Sequence, residues 1–73
     1  MYQGHRNWNH WNVSLWINND EHLHRMAQQY VRLFGKRMAA HGIMGDLEAN
    51  DMRFTPDGAP YSVTAIRAAL CGW

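Results

Sequence analysis

The strongest pattern of apolar and polar positions runs through residues 18–41. There Leu23, Met26, Ala27, Tyr30, Val31, Phe34 and Met38 recur at helical spacing, which predicts an amphipathic helix of about six turns with one buried face. Asn18-Asn19-Asp20-Glu21 precedes it as a start signal. Asn18 can cap, Glu21 three residues on can close a capping box, and the acids face the positive end of the helix dipole. Gly35 interrupts the propensity but not the stripe, so a bend is expected there. Gly42 is the expected stop, with Lys36, Arg37 and His41 near the negative end.

Residues 8–17 carry two patterns at once. Trp8, Trp11, Asn12, Leu15 and Trp16 follow a helix, whereas Trp11, Val13, Leu15 and Ile17 alternate as a strand would. Asn7 is a good helix cap and no hairpin turn follows, which favours a short helix. Residues 42–61 are less regular. Ile43, Met44 and Leu47 predict a helical turn around 44–50, and Thr55-Pro56-Asp57-Gly58 is a strong turn signal. The flanking segments of 52–61 either pair as a minimal two-stranded ribbon or stay an ordered loop. A last helix is predicted over 62–71, capped by Ser62 or Thr64 and burying Val63, Ile66, Ala69 and Leu70. Gly72 ends it and leaves Trp73 free to fold back onto the core. Residues 1–6 read as a short arm, broken at Gly4 and docked by Tyr2. The expected fold is a small all-α domain spanning 1–73, built around one long helix.

Composition adds a constraint on stability. A 73-residue chain buries a modest fraction of its surface and needs some further staple. Cys71 is the sole cysteine, so no disulfide forms within the chain, as suits a reducing cytoplasm. Large side chains remain as the expected staple: Trp8, Trp11, Trp16, Trp73, Tyr2, Tyr30, Tyr61, Phe34 and Phe54. A formal net charge of +1 argues against both an acidic mimic of DNA and a strongly basic nucleic-acid coat. No apolar run reaches signal-peptide or membrane-span length, so no membrane role is expected.

Catalytic and metal chemistry find little purchase. His22 and His24 lie two apart and point to different helix faces, and no Cys-His or carboxylate-His spacing matches a zinc signature. His5 and His10 meet only if the arm is ordered. Cys71 falls in the last turn of a helix, where the dipole raises a thiol pKa. Asp20 and Glu21 serve a helix start and Asp57 a turn, which leaves Asp46, Glu48 and Asp51 as unassigned carboxylates. A ligand pocket of ordinary size is hard to build in so small a domain. No enzyme, cofactor or metal is therefore expected.

Surface chemistry offers more. Arg25, Arg32 and Lys36 stand at i, i+7 and i+11, with Gln28 and Gln29 between them. Such a face suits an acidic protein as well as DNA phosphates and base edges. A helix-turn-helix would need a second helix after a short turn, which 42–61 does not clearly provide. Trp8, Trp11 and Leu15 are expected in the core. Trp16 lies about 140° around the helix from Trp11, among uncharged asparagines, and is the best candidate for an interface aromatic.

Gly4, Asn7, Trp8, Trp11, Asn12, Val13, Leu15, Trp16, Ile17, Asn19, Asp20 and Glu21 together resemble a motif of short bacteriophage and plasmid proteins, G-x-x-N-(W/Y)-x-T-W-N-V-x-L-W-I-x-N-D-E followed by an amphipathic helix. The likeness covers about the first third of the chain. His10 departs from the usual Thr, which weakens a local cap or hydrogen bond. The resemblance brings no catalytic residue. It implies an accessory protein of a mobile element, working in the host bacterial cytoplasm. By analogy with small proteins of that origin, the expectation is a viral anti-defence inhibitor of the anti-CRISPR type. It would block a host defence complex sterically, with Arg25, Arg32, Lys36 and Arg37 supplying charge and Trp16 or Tyr2 an apolar anchor. The alternative is a small DNA-binding accessory protein using the same helix. Homodimerisation through the Trp-rich face is compatible with either.

Overall fold

The first helix, α1, begins where the sequence places a cap. Asn7 has extended backbone and its Oδ1 accepts a 3.0 Å hydrogen bond from the His10 amide. The computed structural model describes residues 7–73, so the arm 1–6, with Gly4, His5 and Tyr2, lies outside the described residues. Three helices follow in order: α1 (Trp8–Asn19), α2 (Glu21–Ala49) and α3 (Val63–Leu70). No sheet is present among the described residues. The 52–61 segment contains a single antiparallel bridge between Phe54 and Pro60, so the ribbon exists only in that minimal form.

Asp20 joins α1 to α2 by itself. Its amide donates to the Trp16 carbonyl at 2.9 Å and so closes α1. Its carboxylate accepts from the Leu23 amide at 3.0 Å and so opens α2. The cap expected at Asn18 is thus displaced by two residues. Asn18 belongs to α1 and its Nδ2 donates back to the Ser14 carbonyl at 2.8 Å. Glu21 forms no capping box and instead pairs with Arg25 one turn on.

The long helix is not one rod. Twenty-nine residues of straight helix would span roughly 43 Å, yet the longest extent of the described fold is 31 Å. Gly35 has φ 79° and ψ 164°, a conformation open essentially to glycine alone. It divides α2 into two arms, 21–34 and 36–49, that fold back on each other. Tyr30 on the first arm donates its hydroxyl to Asp46 Oδ2 on the second at 2.6 Å, across a sequence separation no straight helix could close. Gly42 is accordingly not a stop. It lies inside the second arm where the Tyr30 ring passes, and a Cβ there would stand 2.6 Å from Tyr30 Cδ1 and closer still to Cε1. The turn expected at 44–50 is the continuation of that arm.

This reversal rearranges the apolar stripe. Leu23 and Ala27 are buried as expected, with Met26, Tyr30 and Val31 partly so, but Phe34 and Met38 are exposed. The second arm buries its own series, Ala39, Ala40, Ile43 and Leu47. These meet Val13 and Ile17 of α1, Ala65, Ile66, Ala69 and Leu70 of α3, and Ala59 and Tyr61 of the loop. Alanine contributes six of those core positions, and so small a side chain lets helix backbones approach closely. Of the large aromatics expected in the core, Tyr61 is buried there, but the other described ones are not. Trp16, Tyr30 and Trp73 pack partly buried on its margin, Trp8 and Phe54 are exposed, and Trp11 and Leu15 are half-buried. In α1 the buried residues are Asn12, Val13, Ser14 and Ile17. The last helix forms as expected, with the Ser62 hydroxyl accepting from the Ala65 amide at 3.1 Å, although Val63 is only partly buried and Ala65 joins Ile66, Ala69 and Leu70 in the core. Trp73 folds back, its ring edge-on to His24 at 5.0 Å.

Two glycines of the second arm should respond oppositely to alanine. Gly45→Ala meets nothing within 4 Å in an exposed helix interior and should raise stability by about 1 kcal/mol through helix propensity. Gly42→Ala gains the same propensity but collides with Tyr30, so it should lower stability by about 1–3 kcal/mol. Urea unfolding of the two variants checks this; equal effects would contradict the packing of Tyr30 on Gly42.

Candidate interaction surface

The Trp- and Asn-rich segment does much of its work inside the molecule. Asn12 is 1% exposed, and burial of an amide is tolerable only when its groups are hydrogen-bonded. Both are. Asn12 Nδ2 donates to Asp57 Oδ2 at 2.8 Å, and Asn12 Oδ1 accepts from the Thr55 hydroxyl at 2.5 Å. The same hydroxyl accepts from the Ala59 amide at 3.0 Å. One helical turn beyond Asn12, the Trp16 indole Nε1 donates to Asp57 Oδ2 at 2.9 Å. The Thr55–Gly58 turn, closed by a 2.9 Å bond from the Gly58 amide to the Thr55 carbonyl, is thereby clamped onto α1. The two indole and amide donors hold the Asp57 carboxyl below its ordinary pKa, Asn12 being the larger cause. Spacing shows Asn12 and Trp16 on one helix face, but nothing local in the sequence links them to an aspartate more than forty residues away.

The candidate binding residues are distributed rather than gathered. Trp16 is half-buried and its indole N–H is engaged by Asp57. Arg25 is ion-paired with Glu21 and lines a cleft with His22, Met26, Gln29, Asp46 and Asn50. Arg32 lines another, of about 460 Å³, with His24, Gln28, Val31 and Trp73. Lys36 and Arg37, beyond the break, line a third of about 260 Å³ with Arg67, Cys71 and Gly72. The break at Gly35 takes Lys36 out of the helical register that would have aligned it with Arg25 and Arg32. Tyr2 lies outside the described residues.

Sequence periodicity missed a different feature. Leu33, Phe34 and Met38 are 71%, 57% and 59% exposed and flank the reversal. Phe34 and Met38 read as core because a continuous helix would have turned them inward. Leu33 off the stripe beside the helix-breaking Gly35 was the available signal.

Among the described residues no group of three or more His, Cys, Asp or Glu side chains could hold a metal ion. His22 and His24 line separate clefts. Of the carboxylates left unassigned by sequence, Asp46 accepts the Tyr30 hydroxyl, whose pKa this bond raises, and Asp51 lies 3.5 Å from Arg53 Nε. No described helix is long and apolar enough to cross a membrane. Residues 1–70 match a family described as a family of unknown function, DUF7249. No curated protein and no solved structure matches the chain.

Asp57 gives the clamp a pH signature. A carboxyl whose folded pKa is lowered contributes stability that is present above its unfolded pKa and lost as pH falls through the folded value. Stability should therefore decline from about pH 4 downward, and Asp57→Asn should flatten that acid limb while lowering stability at neutral pH. Thermal melts of both proteins between neutral and acid pH check this; an unchanged acid limb in the variant would refute the clamp.

Proposed function

We propose that the chain, which belongs to the family of unknown function DUF7249, is a bacteriophage-encoded binding protein without enzymatic activity. It inhibits a bacterial defence complex, in the manner of an anti-CRISPR protein, by covering a protein surface in the host cytoplasm. The observation that supports a binding role is the distribution of charge. Arg25 and Arg53 are ion-paired, whereas Arg32, Lys36, Arg37 and Arg67 have no ion-pair partner among the described residues. Unpaired surface cations steer and orient an acidic partner more than they stabilise their own fold. The mobile-element setting rests on the resemblance of the Asn7–Glu21 motif, and the target class on analogy.

A second reading, a small DNA-binding accessory protein, is favoured by one feature. The cleft of Lys36, Arg37 and Arg67 brings three cations together with no carboxylate lining it, which also suits phosphate.

Arg32→Glu separates surface function from stability. The side chain is exposed and has no ion-pair partner among the described residues, so the variant should melt within about 0.5 kcal/mol of the parent while losing its partner. The check is a nuclease-treated pull-down from bacterial lysate beside a duplex-DNA titration at rising salt. Retention of a defence complex after nuclease, abolished by the variant, supports the inhibitor reading. A steeply salt-dependent affinity for any duplex, with no partner surviving nuclease, moves the assignment to DNA.

A further inference from the structure

The second arm of α2 begins with two cations where a helix least favours them. Lys36 and Arg37 follow directly on the break at Gly35, at the positive end of that arm's dipole, where acidic side chains stabilise and basic ones do not. Arg67, in the last turn of α3, lines the same cleft of about 260 Å³, together with Cys71 and Gly72. No described carboxylate lines that cleft, and none of the three cations has an ion-pair partner among the described residues. All three are exposed, so the core does not require their convergence. Two separate elements nevertheless hold it. Lys36 and Arg37 precede the buried Ala39 and Ala40, and Arg67 follows the buried Ile66, so each cation is mounted on a helix fixed in the common core. Like charges gathered in this way repel one another, and no described side chain of the cleft supplies a counter-charge.

We infer that this cleft is a phosphate-binding site in which Lys36, Arg37 and Arg67 hold the anion. Charge and size carry the inference. Three cations exceed the single charge of a carboxylate and suit the two or more charges of a phosphate monoester, a diphosphate or neighbouring phosphodiesters. The guanidinium forks of Arg37 and Arg67 match phosphate oxygens in pairs, and the Lys36 ammonium adds a point charge. The volume falls below the roughly 300 Å³ at which pockets begin to enclose a drug-sized molecule, so the cleft takes the anionic group and leaves the rest of its bearer outside. The other clefts suit this chemistry less well. That of Arg32 contains a single arginine beside Trp73, and that of Arg25 includes the Asp46 carboxylate. The inference rests on the second reading above for its chemistry alone: it names the site and the group bound, and it holds whether the phosphate belongs to nucleic acid or to a free small molecule.

Cys71, the sole cysteine and exposed in the cleft, supplies a local reporter. Inorganic pyrophosphate, titrated into the full chain at constant ionic strength, is expected to bind by calorimetry and to slow alkylation of Cys71 by uncharged iodoacetamide. Arg67→Gln and Lys36→Gln should each weaken that binding by about tenfold. Arg53→Gln, which removes the same charge from a residue that does not line the cleft, should leave it unchanged. All three substitutions are on the surface, and circular dichroism confirms that each variant folds. A short DNA duplex run through the same variants identifies the source of the phosphate. Duplex affinity that falls with Arg67→Gln and Lys36→Gln alone supports the site and puts its phosphate on nucleic acid. Pyrophosphate bound as expected with the duplex ignored supports the site and overturns the DNA reading. Equal weakening by all three variants, pyrophosphate binding that leaves Cys71 alkylation unchanged, or succinate protecting Cys71 as well as pyrophosphate does, overturns the inference. Duplex binding indifferent to Lys36 and Arg67 overturns the site and leaves the DNA reading standing. Binding of neither ligand overturns both.

Discussion

The fold depends on one reversal. Gly35 adopts a backbone conformation that essentially glycine alone occupies, and only then can the second arm of α2 return along the first. The return is held by shape as much as by bonding. Gly42 leaves room for the Tyr30 ring, and the ring places its hydroxyl on Asp46. Everything the second arm buries follows from this: Ala39, Ala40, Ile43 and Leu47 enter the core only because the helix doubles back. The chain thus makes a packed interior from short, closely spaced helices, with aliphatic side chains, alanines and Tyr61 in place of most of the aromatics expected there. A full burial of Ile43 or Leu47 alone is worth about 1.5–3 kcal/mol, comparable with the whole margin a domain of this size commands.

A second joint closes the fold at its other side. Asn12 and Trp16 anchor the Thr55–Gly58 turn to α1 through Asp57 and Thr55. A buried amide with both groups satisfied specifies geometry, because a slipped register would leave it unpaired. This accounts for part of the density of asparagine and tryptophan in residues 7–23. Those polar donors face a carboxylate of the same chain, so they hold the turn in place. At the reversal of α2, by contrast, Leu33, Phe34 and Met38 are left outside, and Arg32, Lys36 and Arg37 have no ion-pair partner among the described residues.

The reversal of α2 is carried by two helix arms pinned together by Tyr30 and Asp46 and backed by the common core. The exposed Leu33 and Met38 beside it belong to no interior.

The sequence by itself determined what depends on near neighbours. Asn7 and Ser62 as caps, the Pro56-Asp57-Gly58 turn, the helical state of α1 though not its buried face, most of the buried stripe of α3 and the buried half of the first arm were legible, because capping, propensity and amphipathic spacing act within one or two turns. Tertiary structure decided the rest. Whether Gly35 bends or reverses a helix is not a local property: the stripe reads continuously across it, and the outcome turns on the packing of Tyr30 against Gly42 twelve residues on. That is why Phe34 and Met38 look buried in sequence and are exposed in the fold. The pairing of Asn12 with Asp57 and the gathering of Lys36, Arg37 and Arg67 around one cleft are likewise products of chain reversal, since no spacing rule reaches across separations of thirty residues or more.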